Sequence, residues 1–292
     1  MKNEGLFAAK IKKIRMSRII IYGILIFFSI IYLIPIYILF TTSVKSFKEV
    51  SLSRMWYFPM EFTLENFKLV WVGSVEQGFN GLGRMFMNSI YVVIPATVIS
   101  TSVGSLNGYV FSKWKFKYSN VIFSLFLFGM FIPYQSILIP LVETMRRIGL
   151  YGSLSGLILA QIIYGIPITT LIFRNYYATI PTELIESARM DGANFFNIYR
   201  HIFLPLSIPA SAVVVIWQFT SIWNSYLFPV VLTTSPKVQP ITVGLVNFAG
   251  SYFIKWNIQM AGAVITALPA LIIFLLLGKL FIRGMMAGAI KG

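Results

Sequence analysis

Six stretches free of acidic residues, each long enough to cross a bilayer, dominate this chain: 19–40, 90–111, 121–142, 154–173, 206–232 and 260–282. The sixth carries Lys279 near its end, and the other five carry no charge. About 18 consecutive apolar residues suffice to cross the ~30 Å of hydrocarbon as a helix. Lipid offers the backbone no hydrogen-bond partners, so only helices or closed barrels can span it. Blocks this long, without the alternation of barrel strands, predict an all-α membrane protein with six transmembrane helices. Charged residues make up only 11% of the chain, against about 25% in a soluble domain. The first block, although preceded by a basic segment, is too long for a signal-peptide core and has no small-residue cleavage site after it. It reads as a retained first helix.

Basic residues orient the bundle. With the N-terminus cytoplasmic, that side holds 15 of the 24 Lys and Arg and four of the nine acids, a net +11 against +4 outside. The positive-inside rule then places both termini in the cytoplasm, although Arg146 and Arg147 fall on the wrong side. The expected organisation is a basic N-terminus (1–18), a membrane domain (19–282) with a cytoplasmic loop at 174–205, and a short tail (283–292). A short loop at 112–120 suggests that the second and third helices are antiparallel neighbours. The net charge of +15 is spread over membrane-flanking loops, which suits anionic headgroups better than nucleic acid. No nucleic-acid partner is expected.

Between the fourth and fifth blocks lies a charged island, IPTELIESARMDGANFFNIYRHIFLPLSIP, residues 180–209. Pro181 suits a first helical position, and Glu183 and Glu186 suit the positive end of a helix dipole. Gly192 follows Asp191 where the helix should stop, because glycine accepts the left-handed conformation of such an end. Phe195, Ile198, Tyr199, Ile202 and Phe203 then recur at helical spacing until Pro205 breaks the run. Two short helices joined by a hinge are predicted.

These residues resemble the "EAA" loop of permease subunits in ATP-binding-cassette importers. The matching residues are Glu186-Ser187-Ala188-Arg189, Asp191-Gly192-Ala193 and Leu204-Pro205, with Ser187 where the family usually has alanine. The resemblance implies a type I ABC importer permease fold in which this loop is a coupling helix docked on a separate ATPase. The chain as a whole is similar to the smaller permease of carbohydrate-uptake type 1 importers of the maltose kind. Residues 129–135 and 164–167 lean toward glucose/mannose members. The implied partners are a second permease subunit in a heterodimer, two ATP-binding-cassette subunits holding ATP and magnesium, and an extracytoplasmic sugar-binding protein. The glycine-rich tail resembles one that contacts the ATPase pair. The outer loop at 233–259, with Tyr252, Phe253 and Trp256, is implied to reach the binding protein. Membrane-interface anchoring would explain the same aromatics.

No catalytic set is visible, and no metal site is expected. Gly278-Lys279 is followed by Leu280 inside an apolar block, so no phosphate-binding loop is present. The chain binds no cofactor of its own on this reading and is not an enzyme. His201, the single histidine, reads as a helix-end or headgroup contact. None of the nine acids lies within a block, which argues against the alternative of a secondary transporter driven by protons or sodium. The blocks do hold the amides Asn107, Gln135, Gln161, Gln218 and Asn224, each costly in lipid unless it faces protein or water. For Gln135 and Gln161 the simpler reading is an interhelical hydrogen bond. Gln218, Trp223, Asn224 and Tyr226 are the candidate lining of a sugar path, since amides and aromatic faces suit a neutral, hydroxyl-rich solute.

Overall fold

The computed structural model describes residues 2–74, 79–114, 116–249 and 255–289, with side chains left undescribed at 2–17, 79, 249 and 283–289. The elements in chain order are α1 (Lys2–Ser43), α2 (Glu65–Val72), a two-residue hairpin of β1 (Gly73–Ser74) and β2 (Phe79–Asn80), α3 (Gly83–Lys113) and α4 (Ser119–Phe131). After these come α5 (Leu138–Arg147), α6 (Leu154–Ala178), α7 (Glu183–Met190), α8 (Phe195–Ile198) and α9 (Leu204–Leu206). The chain finishes with α10 (Ile208–Trp223), α11 (Leu227–Leu232), α12 (Ile241–Ala249) and α13 (Trp256–Ala289). Two compact units emerge, one of residues 1–71 and 253–265, the other of 72–252 and 266–292.

Among the described residues, four helices are continuous and apolar enough to span: Arg18–Ser43, Gly83–Lys113, Leu154–Ala178 and Trp256–Ile282. Two further pairs of helices meet at a bend. Ser119–Phe131 meets Tyr134–Arg147 at 93°, and Phe195–Leu206 meets Ile208–Trp223 at 75°. Six spans result if each bent pair counts as one, the number expected from hydropathy; the third is angled within its apolar block and the fifth at its entry, where the charged island meets the block. At the first bend Ile132 is extended (φ −70°, ψ 120°), as the residue before a proline prefers, and Pro133 has no N–H to continue the helix. The fifth block also stops being helical at Asn224 and resumes only at Leu227.

At the centre of the second unit, α3 lies along α6. Gly104 faces Thr169, and Gly108 faces Phe173 and the backbone of Arg174, with no room at either position for a side chain. Small residues four apart let two membrane helices approach closely. Thr169 Oγ1 takes advantage of the proximity by donating to Ser100 O across the pair at 3.0 Å. The expected neighbour α4 does meet α3, through Phe111 against Phe123 and Phe126, but the more extensive packing is with α6, because the glycine seam faces that way. α10 packs on both helices, burying Val214, Phe219, Ile222 and Trp223. The loop at 233–259 contains α12, whose Gly244 sits against Leu82 and Met85 and whose Ile241 N–H donates to Ser89 Oγ at 2.9 Å. α13 runs on into the stretch expected as the tail, as far as Ala289.

In the first unit, the span within α1 buries none of its length inside the chain. An all-round apolar helix of this kind needs lipid or another protein around it. Beyond its end, Asn66 Nδ2 donates to Ser43 O (2.9 Å) and Lys45 O (2.8 Å), supplying partners that helix-end carbonyls lack. Asn257 Nδ2 donates in turn to Asn66 Oδ1 at 2.9 Å. Glu49 clamps the following loop, accepting the N–H groups of Met60 (2.8 Å) and Glu61 (3.0 Å) and the Ser46 hydroxyl (3.3 Å).

Two outcomes follow. Gly108→Leu should overpack the α3–α6 seam and cost about 1–3 kcal/mol, read as a lower unfolding temperature of the detergent-purified protein. Glu49 is held below the ordinary carboxylate range, first by the Met60 N–H and further by Glu61, Ser46 and Lys45, against the opposing pull of burial. Its contribution is therefore complete above the unfolded value of about 4.3 and lost as pH falls through the lower folded value. Hydrogen exchange at the Met60 and Glu61 amides should accelerate in that acid window, and in Glu49→Gln at every pH.

Candidate functional site

The charged island folds as an elbow. α7 begins at Glu183 after Thr182, so Pro181 stands just ahead of the helix rather than at its first position. Glu183 and Glu186 occupy the first turn as expected. At the far end Gly192 N–H donates to Arg189 O (3.0 Å) and Ala193 N–H to Ala188 O (2.9 Å). Gly192 has φ +81°. These are the two bonds of a Schellman ending, in which a left-handed glycine lets the chain reverse onto its own helix. Asn194 then caps α8, its Oδ1 accepting from Asn197 N–H at 2.9 Å.

Pro205 does not break the run. The preceding residues Tyr199–Phe203 form a wide π-type turn, with Leu204 N–H reaching back to Tyr199 O. Such a turn makes room ahead of Pro205, whose ring would otherwise press on the His201 carbonyl. The chain bends two residues later, at Ser207, whose hydroxyl donates to Leu204 O at 2.8 Å. His201 Nδ1 lies 3.0 Å from Asn197 O, a helix-end contact.

The elbow rests on an aromatic bed. Tyr109 of α3 is fully buried, with Phe203 at 4.7 Å, Phe195 at 5.0 Å and Tyr199 at 5.4 Å between ring centroids. Phe173 and Tyr177 of α6, and Ile180, Ile185 and Ile198, complete the cluster. Inside it, Tyr199 OH donates to Ser105 Oγ (2.9 Å), which lies 2.7 Å from Tyr177 OH. Lys113 Nζ donates to Ile180 O, and Arg189 stacks over Trp114 at 4.7 Å. Arg174, at the expected start of the loop, is still within α6, with its guanidinium 4.0 Å over the Phe123 ring.

The opposite surface is open. Glu183, Glu186, Ser187, Arg189, Asp191 and Gly192 are exposed, and Ala188 and Ala193 face the bed. Met190 is 89% exposed, Phe196 66% and Leu184 41%, an apolar set fringed by charge. Leu204 and Pro205 are also exposed.

The four path residues separate. Trp223 is 1% exposed, stacked on Phe219 at 5.8 Å and donating Nε1–H to Thr266 O at 2.8 Å. That places its indole in the helix packing rather than on a path. Asn224 ends α10 and is exposed, as is Tyr226. Gln218 lines a cavity of about 420 Å³ between the α4–α5 bend, α6 and α10. Gln161, read from sequence as an interhelical hydrogen bond, lines the same cavity. Tyr164, also on its wall, packs edge-on to Tyr134 and Phe228. A glutamine sharing its helix with Tyr164 and Gly165 was the available signal, but spacing alone does not say which way an amide faces. At the other end, Trp256 opens α13 and is 47% exposed. Tyr252 and Phe253 lie outside the described residues.

Membrane-length helices around a close-packed α3–α6 pair, with a structured elbow at one end, define a multi-pass membrane protein. The chain belongs to the family described as binding-protein-dependent transport system inner membrane components, whose model matches residues 96–287. It is 44% identical over 281 residues to a probable ABC transporter permease protein of Pyrococcus horikoshii, covering 96% of this chain and 100% of that one. It is 32% identical to the glucose import system permease protein GlcU of Saccharolobus solfataricus, over 89% of this chain and 90% of the relative. Its fold is similar to that of a chain in the crystal structure of a bacterial ABC transporter involved in the import of the acidic polysaccharide alginate. That likeness has a TM-score of 0.78 at 24% identity and covers 91% of this chain and 97% of the other. The chain is therefore an ABC transporter permease subunit of the inner membrane and not itself an ATPase, which removes the secondary-transporter alternative.

Phe203→Ala should empty the middle of the aromatic bed and cost about 3–5 kcal/mol. Faster hydrogen exchange through α8 and the π-type turn, with α12 unaffected, is the expected reading.

Proposed function

We propose that this chain is one permease half of an ATP-driven, binding-protein-dependent sugar importer. Its elbow is the joint that seats in an ATP-binding subunit. The observation that carries the reading is the two-sidedness of the elbow: one side is fixed to α3 and α6 by the aromatic bed, and the other offers Leu184, Met190 and Phe196 among Glu183, Glu186 and Asp191. A push on the open side has no soft layer to be lost in before it reaches the spanning helices. The sugar assignment draws on the glucose import permease of Saccharolobus solfataricus and on a xylose/arabinose import permease of Haloferax volcanii.

On this reading both termini and the elbow are cytoplasmic, in line with the basic bias. The complex holds a second, similar permease, two ATP-binding subunits that carry ATP and magnesium, and an extracytoplasmic sugar-binding protein. Closure of the nucleotide-binding pair moves the elbow, and the elbow moves α3, α6 and, through the Ser207 bend, α10. The solute thereby gains access to alternate sides. Gln218, Asn224 and Tyr226 remain candidates for its route, and Trp256, Tyr252 and Phe253 for contact with the binding protein. Glu186, Ser187, Ala188, Arg189, Asp191, Gly192, Ala193, Leu204 and Pro205 are the coupling set.

Gly192→Pro cannot adopt φ near +81° and loses the N–H that bonds Arg189. Glu186→Lys puts a positive charge at the positive end of a helix dipole. Both variants should insert in the membrane yet lose ATP-driven uptake at least about tenfold, since an uncoupled joint forfeits more than one 1.4 kcal/mol step. Normal uptake by both in reconstituted vesicles would reject the joint.

A further inference from the structure

Gln161 and Gln218 are 6% and 3% exposed, and neither amide makes a hydrogen bond within the described chain. Both line the 420 Å³ cavity. Buried amides without partners are costly, and two on neighbouring helices facing one space are arranged for something that enters it. A third polar group is close by: Pro167 has no N–H, so the Ile163 carbonyl lacks its helical partner, and both residues line the cavity. Apolar side chains such as Ile132, Ile137 and Ile168, with the Trp217 ring, supply the remaining wall. Among the described residues, no charged side chain lines it.

We infer that this cavity is a sugar subsite belonging to this chain, selective for a neutral mono- or disaccharide, with Gln161 and Gln218 bonding its hydroxyls. The inference rests on the sugar-importer reading and names the contact within it. Hydroxyls would satisfy the amides, and the C–H faces of the ring suit the isoleucines and the indole. A carboxylated sugar finds no cation here to offset its desolvation. Gly165, near the midpoint of α6, sets the selectivity: a Cβ at that position would run into the Gln218 amide. The glycine therefore lets Gln218 lie flat against α6 and keeps the cavity open, and it acts as a positioning residue.

The test uses the complete importer, with its binding protein, in proteoliposomes. Uptake is measured for glucose, xylose, arabinose, maltose and glucuronate, then for monodeoxy analogues of the sugar carried best. The quantity read is the preference for the parent sugar over each analogue, a ratio independent of how much complex assembles. Wild type should carry a neutral sugar and exclude glucuronate. Gln161→Met and Gln218→Met, close to isosteric, should each reduce the preference about tenfold for a different hydroxyl, as loss of one buried hydrogen bond does. Gly165→Ala, which keeps the amide but displaces it, should reproduce the Gln218→Met pattern. Preferences unchanged in all three variants, or glucuronate carried as well as glucose, would overturn the subsite. A wild-type complex that imports none of the neutral sugars removes the importer reading, and the subsite with it.

Discussion

Close approach of α3 and α6 is the contact on which the rest of the second unit depends. Gly104 and Gly108 bring the two backbones together, and because lipid is as apolar as leucine, packing rather than hydrophobic exclusion holds such a pair. Both candidate sites are built on this pair. At one end it presents Tyr109, Phe173 and Tyr177 as the bed for the elbow. Nearer the middle it leaves Gln161 and Gly165 facing α10. A looser pair would blur both at once, because the same two helices carry them.

The bed itself is polar at its heart. Ser105, Tyr177 and Tyr199 share hydroxyl contacts inside a ring of aromatic carbon. A buried hydroxyl has few geometries that satisfy it, so these bonds select one seating of the π-type turn among the many that aromatic rings alone would tolerate. The elbow is therefore held by shape and by hydrogen bonding together, while its outer side keeps only charge and exposed carbon.

Much of this was legible in the sequence, and what was not has a physical cause. Apolar length revealed the membrane blocks, because lipid imposes its thickness on every span. Gly192 was readable because a Schellman ending demands φ > 0 there. The bends were harder. Pro133 could be seen, yet Pro205 points the wrong way: a wide turn upstream absorbs it, and the chain angles at Ser207 instead. The glycines at 104 and 108 were in plain view, four apart, and would have identified the partner of α3. Trp223 and Gln161 exchanged roles, the indole turning into the packing and the amide into the cavity. Composition shows that a polar group must be satisfied somewhere; only the packing decides against what.

The π-type turn has a consequence for α10. It carries one residue more per hydrogen-bonded ring than an α-helix does, and α10 begins five residues beyond it. Between the two lies the break at Ser207, where the helix axis turns by 75°, so no helical register runs unbroken from the turn to Trp223. What the wide turn does is keep the chain helical past Pro205, which delays the change of direction until Ser207. The Ser207 hydroxyl, bonded back to Leu204 O, therefore marks the corner from which α10 sets out toward the cavity, and a displacement of the elbow reaches Gln218 as a swing of that corner.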